Sequence, residues 1–451
     1  MKKYENYKDS GLEWLGMVPE HWEIMRLKSC SSIILGKMLM SIPPKGQEAN
    51  YSLEKYLKSK NVGWLNLCLD DNAVEEMFFN ETEKELYKLR EGDIVMNEGG
   101  DIGKVALWHD TGYDCYIQNS INKITSSNGV IPAFLTYYLY SVSMSGYFWS
   151  IVSQISIAHL TKEKLANTPI ILPPLTEQRT IASYLDRKVG QIDALISGKE
   201  KMVEDLKAYR SSLITETVTK GLDKEVEMKD SGVEWIGKMP SKWTVSKLKY
   251  ICKINGRIGF RGYTTDDLVS EGNGAFTIGG KHISKNLLDL SSPEYISWEK
   301  YYESPEIMVK KGDIVSAQRG TLGRTAYIDK EIGPATINPS LVLINDIIED
   351  AKFLYWFMVS NSFLSMIEFV NTATAVPMIS QTQFGNTLIP LPPISEQHII
   401  VEYLEKEISK IDTSISEIEH QLSDLKSYKS SLITEAVTGK IDLRDWQTKK
   451  S

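Results

Sequence analysis

The stretch YRSSLITETVTKG occupies residues 209–221, and YKSSLITEAVTGK occupies residues 428–440. The shared hexapeptide Ser211–Glu216 returns as Ser430–Glu435, 219 residues later in a chain of 451. Upstream of each copy, LPPLTEQ (172–178) returns as LPPISEQ (391–397) at the same offset. About half of the positions from 172 to 219 match those from 391 to 438, with no gap. Two prolines open each segment; the next proline is Pro240 after the first copy, and none follows the second. Proline is tolerated where a helix begins and excluded from its interior. Each segment therefore predicts one long helix. Thr176 and Ser395 stand where an N-cap belongs, Glu177 and Glu396 fall near the positive end of the dipole, and Gly221 and Gly439 provide stops.

The apolar spacing sharpens this reading. The first segment places Leu185, Val189, Ile192, Ile196, Lys199, Val203, Leu206, Arg210 and Leu213 on one heptad seam. The second places Leu404, Ile408, Ile411, Ile415, Ile418, Leu422, Leu425, Lys429 and Leu432 there. A seam sustained for four heptads predicts a coiled coil. A helix of ~40 residues would be ~60 Å long. Two equivalent helices of one chain can pair antiparallel. Separate helices, each packed on its own domain, or pairing between two chains, are the alternatives. Lys199 and Arg210 interrupt the seam, and are expected to break the core or to face a partner.

The repeat extends into the segments that precede the helices. KDSGLEWLG (8–16) returns as KDSGVEWIG (229–237), and Pro19…Trp22 returns as Pro240…Trp243. EGDIVMNEGGDIGKVAL (91–107) returns as KGDIVSAQRGTLGRTAY (311–327), whereas 38–90 and 258–310 hardly align. The chain is thus two tandem halves of α+β class. The expected divisions are a front domain at 1–171, a helix at 172–221, a second front domain at 222–390, a second helix at 391–440 and a tail at 441–451. Drift this uneven suggests a shared scaffold carrying two different recognition surfaces. Each front domain reads as mixed α/β. A Gly-Asp turn opens a GDIV strand, and a glycine loop (Glu98–Lys104, Gln318–Arg324) leads to a second strand. Around 132–148 and 351–367 the aromatics fall at helical spacing and are expected in the core.

Composition narrows the function classes. With 42% hydrophobic and 24% charged residues the chain can bury a large core. No run approaches the ~18 apolar residues of a membrane span. The N-terminus lacks the apolar stretch of a secretory signal, so a cytoplasmic location is expected. Cys30, Cys68, Cys115 and Cys252 form no CxxC pair and are expected to be reduced thiols, with no zinc site. The net charge of −8 argues mildly against nucleic-acid binding unless basic residues are grouped locally. Gly99…Gly103-Lys104 fails as a phosphate loop, because its glycines stand too close and Val105 replaces the hydroxyl residue. Asn338-Pro339-Ser340 does not match the Asn/Asp-Pro-Pro-aromatic motif of adenine methyltransferases. No catalytic constellation emerges.

Taken together, the twin KDSG…PxxW blocks, the GDIV strand with its glycine loop, LPPxxEQ and SSLITE resemble the specificity subunit of type I restriction–modification enzymes over essentially the whole chain. The resemblance implies two target-recognition domains, each reading one half of a bipartite double-stranded DNA site. It implies an antiparallel coiled coil that sets the spacing between the half-sites. The chain itself would catalyse nothing and hold no metal or cofactor. Two methyltransferase subunits would dock on it with S-adenosylmethionine and methylate adenine N6. Two motor–nuclease subunits would join for restriction, with Mg and ATP on the partners. No membrane is involved. Candidate DNA contacts are Lys37, Asn97, Lys104, Lys253, Arg257, Arg261, Arg319 and Arg324, since arginine is the commonest specific guanine reader. Thr215, Glu216, Thr434 and Glu435 are candidate docking residues. The rival readings are a coiled-coil adaptor with two protein-binding end domains, and an enzyme with unrecognised motifs.

Overall fold

The two proline pairs set where the long helices begin. The first helix runs Leu175–Lys220 and the second Ile394–Val437, in a computed structural model that describes residues 2–70, 72–152, 159–257, 259, 262–371 and 377–446. The first intrahelical bonds are accepted by prolines: Gln178 N–H donates to Pro174 O at 3.0 Å and Gln397 N–H to Pro393 O at 3.1 Å. Thr176 and Ser395 therefore lie inside the first turn and are not the N-caps their position suggested. Glu177 and Glu396 do occupy that turn. Gly221 and Gly439 close the helices with φ of +74° and +71°, a left-handed conformation that only glycine adopts freely.

The chain folds as two compact units, one of residues 1–200 with 420–451, the other of residues 201–419. Each unit therefore contains one front domain and one half of each long helix. In the first unit Lys429 Nζ meets Asp193 at 2.6 Å, Lys426 meets Glu200 at 2.9 Å and Lys199 donates to Gln421 at 2.6 Å. In the second, Arg210 grips Asp412 with two bonds at 2.8 and 3.2 Å, and Lys207 meets Glu419 at 3.1 Å. Rising numbers on one helix meet falling numbers on the other, so the strands of the coiled coil run antiparallel. Leu185, Val189, Ile192, Ile196 and Val203 are buried in the seam, as are Leu404, Ile408, Ile411, Ile415, Ile418, Leu422 and Leu432. Leu206, Leu213 and Leu425 are half-buried. Apolar burial of this kind supplies the pairing energy; exposed ion pairs contribute about 0–1 kcal/mol each and chiefly fix register. Lys199 and Arg210 neither break the seam nor face away from it. Both reach the opposite helix, and Lys429 does the same from the position equivalent to Arg210.

Each front domain is built on a four-stranded antiparallel sheet. In the first unit its order is Ser31–Leu35, Ile121–Ser126, Ile94–Asn97, Val105–Leu107; in the second it is Lys253–Gly256, Leu341–Asn345, Ile314–Ala317, Thr325–Tyr327. A second sheet packs beside each: three strands centred on Tyr51–Leu57 in the first unit, and four strands that include Gly274–Ile278 in the second. The Gly-Asp turns work alike: the Asp93 carboxylate accepts the Arg90 N–H at 2.8 Å, and Asp313 accepts that of Lys310 at 2.7 Å. Helices Pro132–Met144 and Ala351–Met358 pack their aromatics inward, with Phe134, Tyr138, Phe353 and Phe357 fully buried. The first glycine loop lies against Pro132–Met144 and the second against the helix that follows, Asn361–Val370. A Cβ on Gly103 would stand 2.8 Å from Ser143 Oγ, and one on Gly323 would collide with the Leu364 side chain. Larger residues would push the loop off the helix.

The blocks that repeat most faithfully meet at one point in each unit. The Trp22 indole N–H donates to Glu177 at 3.2 Å, and the ring lies 3.2 Å from where a Cβ on Gly439 would be. In the second unit Trp243 donates to Glu396 at 3.0 Å and faces Gly221 in the same way. Gln178 accepts from Ile131 N–H at 2.9 Å and donates to Pro173 O at 2.8 Å; Gln397 repeats this with Asp350 N–H at 3.0 Å and Pro392 O at 2.9 Å. The repeated tryptophan, LPPxxEQ and the glycine after SSLITE are three sides of one joint. Each joint takes its glycine from the helix of the other repeat. No single helix among the described residues is long and apolar enough to cross a membrane.

Candidate nucleic-acid interface

At the end of each four-stranded sheet, three segments lie together: the glycine loop, a polar turn and the exit of the edge strand. In the second unit the turn is Asn338-Pro339-Ser340, where Asn338 Oδ1 accepts from Ser340 N–H at 2.9 Å and from its hydroxyl at 2.5 Å. Gln118 and Ser120 build the same turn in the first unit, at 3.0 and 2.5 Å. The glycine loop is bonded to this turn through Gln318 N–H to Ser340 O and Glu98 N–H to Ser120 O, both 2.9 Å.

The two ends then differ. In the second unit a cleft of about 490 Å³ opens between loop and turn, lined among others by Lys281, Glu294, Ala317, Arg319, Arg324 and Asn338. Arg319 and Arg324 are exposed. Arg324 makes one long contact with Gly280 O at 3.5 Å, while the Arg319 guanidinium has no hydrogen bond or ion pair with a described residue. Lys281 pairs with Glu294 at 2.7 Å. In the first unit Asn97 stands where Ala317 stands. Its side chain is buried and donates to Ser59 O at 3.1 Å, tying the strand end to the adjoining turn. Its Oδ1 has no hydrogen-bond partner among the described residues. Gly99 replaces Arg319, and Lys104 is paired with Asp101 at 2.5 Å. Glu98 meets His159 at 2.8 Å.

The other cations proposed from the sequence lie elsewhere. Lys37 is buried; its ammonium pairs with Glu83 at 2.5 Å and donates to Phe78 O at 2.8 Å. Arg257, at the equivalent position, is also buried and donates to Ile337 O at 3.2 Å and Thr336 Oγ1 at 3.1 Å, with Tyr263 beneath it. Burial pulls its guanidinium below the usual value. Both are internal struts between sheets: a buried cation keeps its charge only where bonds compensate lost water. Lys253 is exposed and paired with Asp346 at 2.7 Å. It sits at the far end of the sheet, because Lys253 pairs with Asn345 while Gly256 pairs with Val342 at the loop end. Arg261 lies outside the described residues. Of the candidates, the structure brings together Arg319 and Arg324. Sequence reasoning missed Lys281, which lies in the stretch that does not align between repeats, and Asn338, whose counterpart turn Gln118-Asn119-Ser120 was a readable signal.

Thr215 and Thr434 face inward. Thr215 Oγ1 accepts Asn361 N–H at 2.9 Å, and Thr434 meets the Ser141 hydroxyl at 3.1 Å. Glu216 and Glu435 are exposed. Among the described residues no group of three or more His, Cys, Asp or Glu is placed to hold a metal.

A repeated framework with two unlike loop surfaces defines a tandem recognition protein. The family model for the type I restriction modification DNA specificity domain matches residues 19–205 and again 240–423, so the chain belongs to that family. It is 25% identical to the type I restriction enzyme MjaVIII specificity subunit of Methanocaldococcus jannaschii, over 98% of this chain and 97% of that one. It is 24% identical to the EcoBI specificity subunit of Escherichia coli, over 66% and 64%. Its fold matches a chain solved in work on complex assembly and conformational transition of the type I R-M system, with TM-score 0.70 and 16% identity over 94% and 99%. It also matches the HsdS subunit of Thermoanaerobacter tengcongensis, with TM-score 0.50 and 17% identity over 94% and 98%. The adaptor reading gains no support from these likenesses.

Proposed function

We propose that this chain is the non-catalytic DNA-specificity subunit of a type I restriction–modification complex. Each front domain reads one half of a bipartite site, and the coiled coil sets the unread gap. Methyltransferase subunits, carrying S-adenosylmethionine, dock on the chain for adenine N6 methylation, and motor–nuclease subunits using Mg and ATP join for restriction. The complex works in the cytoplasm. Adenine N6 is reached only in a flipped base, so the methylating subunit must be held at a defined place on the duplex. The observation that carries this reading is the uneven duplication: one joint and one sheet, kept twice, support two loop surfaces of opposite character. Glu216 and Glu435, exposed beside the inward threonines, are the docking contacts that remain open to a partner. Replacing residues 1–171 by the corresponding domain of a relative, followed by methylation mapping, tests it. One half-site should change and the other stay; a change in both would sink the reading.

A further inference from the structure

We infer that Arg319 reads a guanine in the half-site bound by the second unit, from a root position that the fold holds rigid. The inference rests on the function proposed above and names the residue that decides one of its base pairs. The backbone around Arg319 is clamped from two sides. Its own N–H donates to Ser340 O at 3.2 Å, Gly320 N–H donates to Pro377 O at 3.0 Å, and Ile379 N–H donates to Gln318 O at 2.9 Å. The Gln318 side chain, buried beneath, donates to Pro339 O at 3.0 Å and Leu341 O at 3.1 Å. A fixed root carrying an exposed guanidinium that no described residue engages leaves the donor fork open to a ligand.

The surroundings favour a base edge over a lone phosphate. Arg324 and Lys281 stand at the same cleft, so cations to meet the backbone are already present beside Arg319. The cleft also holds neutral polar groups, Asn338 among them, and the carboxylate of Glu294. Guanine presents O6 and N7 side by side in the major groove, an acceptor pair that matches the two-pronged guanidinium. The first unit offers no counterpart, because Gly99 stands in this place and Asn97 joins strand to turn where Ala317 leaves room.

The test uses the full chain assembled with its methyltransferase subunits. The native site is first mapped by methylation, then duplexes are made in which each guanine of either half-site is replaced by 7-deazaguanine, which lacks N7. Binding is measured at several salt concentrations for native, Arg319→Ala and Arg319→Lys proteins. Native protein should lose roughly 5- to 150-fold at one guanine of the second unit's half-site. Arg319→Ala should be indifferent to that replacement; Arg319→Lys, whose ammonium can still donate to O6 or N7, should respond less than native protein and keep the native salt slope. Uniform weakening of every duplex by Arg319→Ala, with a salt slope lower by about one, would overturn the inference in favour of a phosphate contact. Normal discrimination by Arg319→Ala would overturn it as well. Absence of any bipartite site for native protein would instead overturn the proposed function.

Discussion

Asn97 and Ala317 end equivalent strands, yet one ties its strand to the neighbouring turn and the other lets a cleft open. Three positions along the loop complete the contrast: Gly99 against Arg319, Asp101 against Thr321, Lys104 against Arg324. The first loop is a self-paired surface of carboxylates and cations; the second presents two exposed guanidinium groups. The tryptophan, glutamate, glutamine and glycine of the supporting joint are the same in both units, although Glu177 also accepts from Tyr4 at 2.9 Å and meets His21 at 2.7 Å. The surface of this loop is therefore altered by a few side chains, while the parts that hold the loop are kept.

If the joints are equivalent, disrupting either should cost the same. Trp22→Ala and Trp243→Ala each remove a fully buried ring and one hydrogen bond to a glutamate, and each should destabilise its unit by about 3–5 kcal/mol in denaturant unfolding. Unequal losses would show that the two frameworks are not interchangeable. Lys37→Ala and Arg257→Ala sharpen the division between strut and reader. Each leaves bonded partners unsatisfied inside a domain and should cost about 3 kcal/mol, with the methylated motif unchanged in whatever protein folds. A relaxed base preference would return them to the reading surface.

A smaller effect in the second unit depends on pH. Burial pushes the Asp313 carboxyl up to about 6 from its ordinary value of 3.8. A carboxyl whose folded pKa is raised favours folding in its protonated form. Its contribution is full below about 4 and is lost as pH rises through about 6. Asp313→Asn can still accept the Lys310 N–H and carries no charge. Relative to native protein it should gain stability across that window, by on the order of 2 kcal/mol, in melts at graded pH. A constant difference at all pH values would contradict the assignment.

The helices and their pairing were legible because heptads, proline starts and glycine stops are local signals. Lys199 and Arg210 were harder. A charge in an apolar seam reads as a flaw until its partner, Gln421 or Asp412 some two hundred residues away, is known. The same blindness explains Lys37 and Arg257. Both follow a glycine after a strand and look like surface cations, and only the packing of a second sheet reveals them as buried. Arg319 and Arg324 were singled out because they flank a glycine loop. Lys281 was not, because its segment has no aligned counterpart against which a difference could show.

Methylation mapping of the native complex on genomic DNA tests the central claim most directly. Two unlike reading loops on one repeated scaffold predict an interrupted motif of fixed gap whose two half-sites differ in sequence. A continuous motif, or a palindrome with identical half-sites, would contradict it.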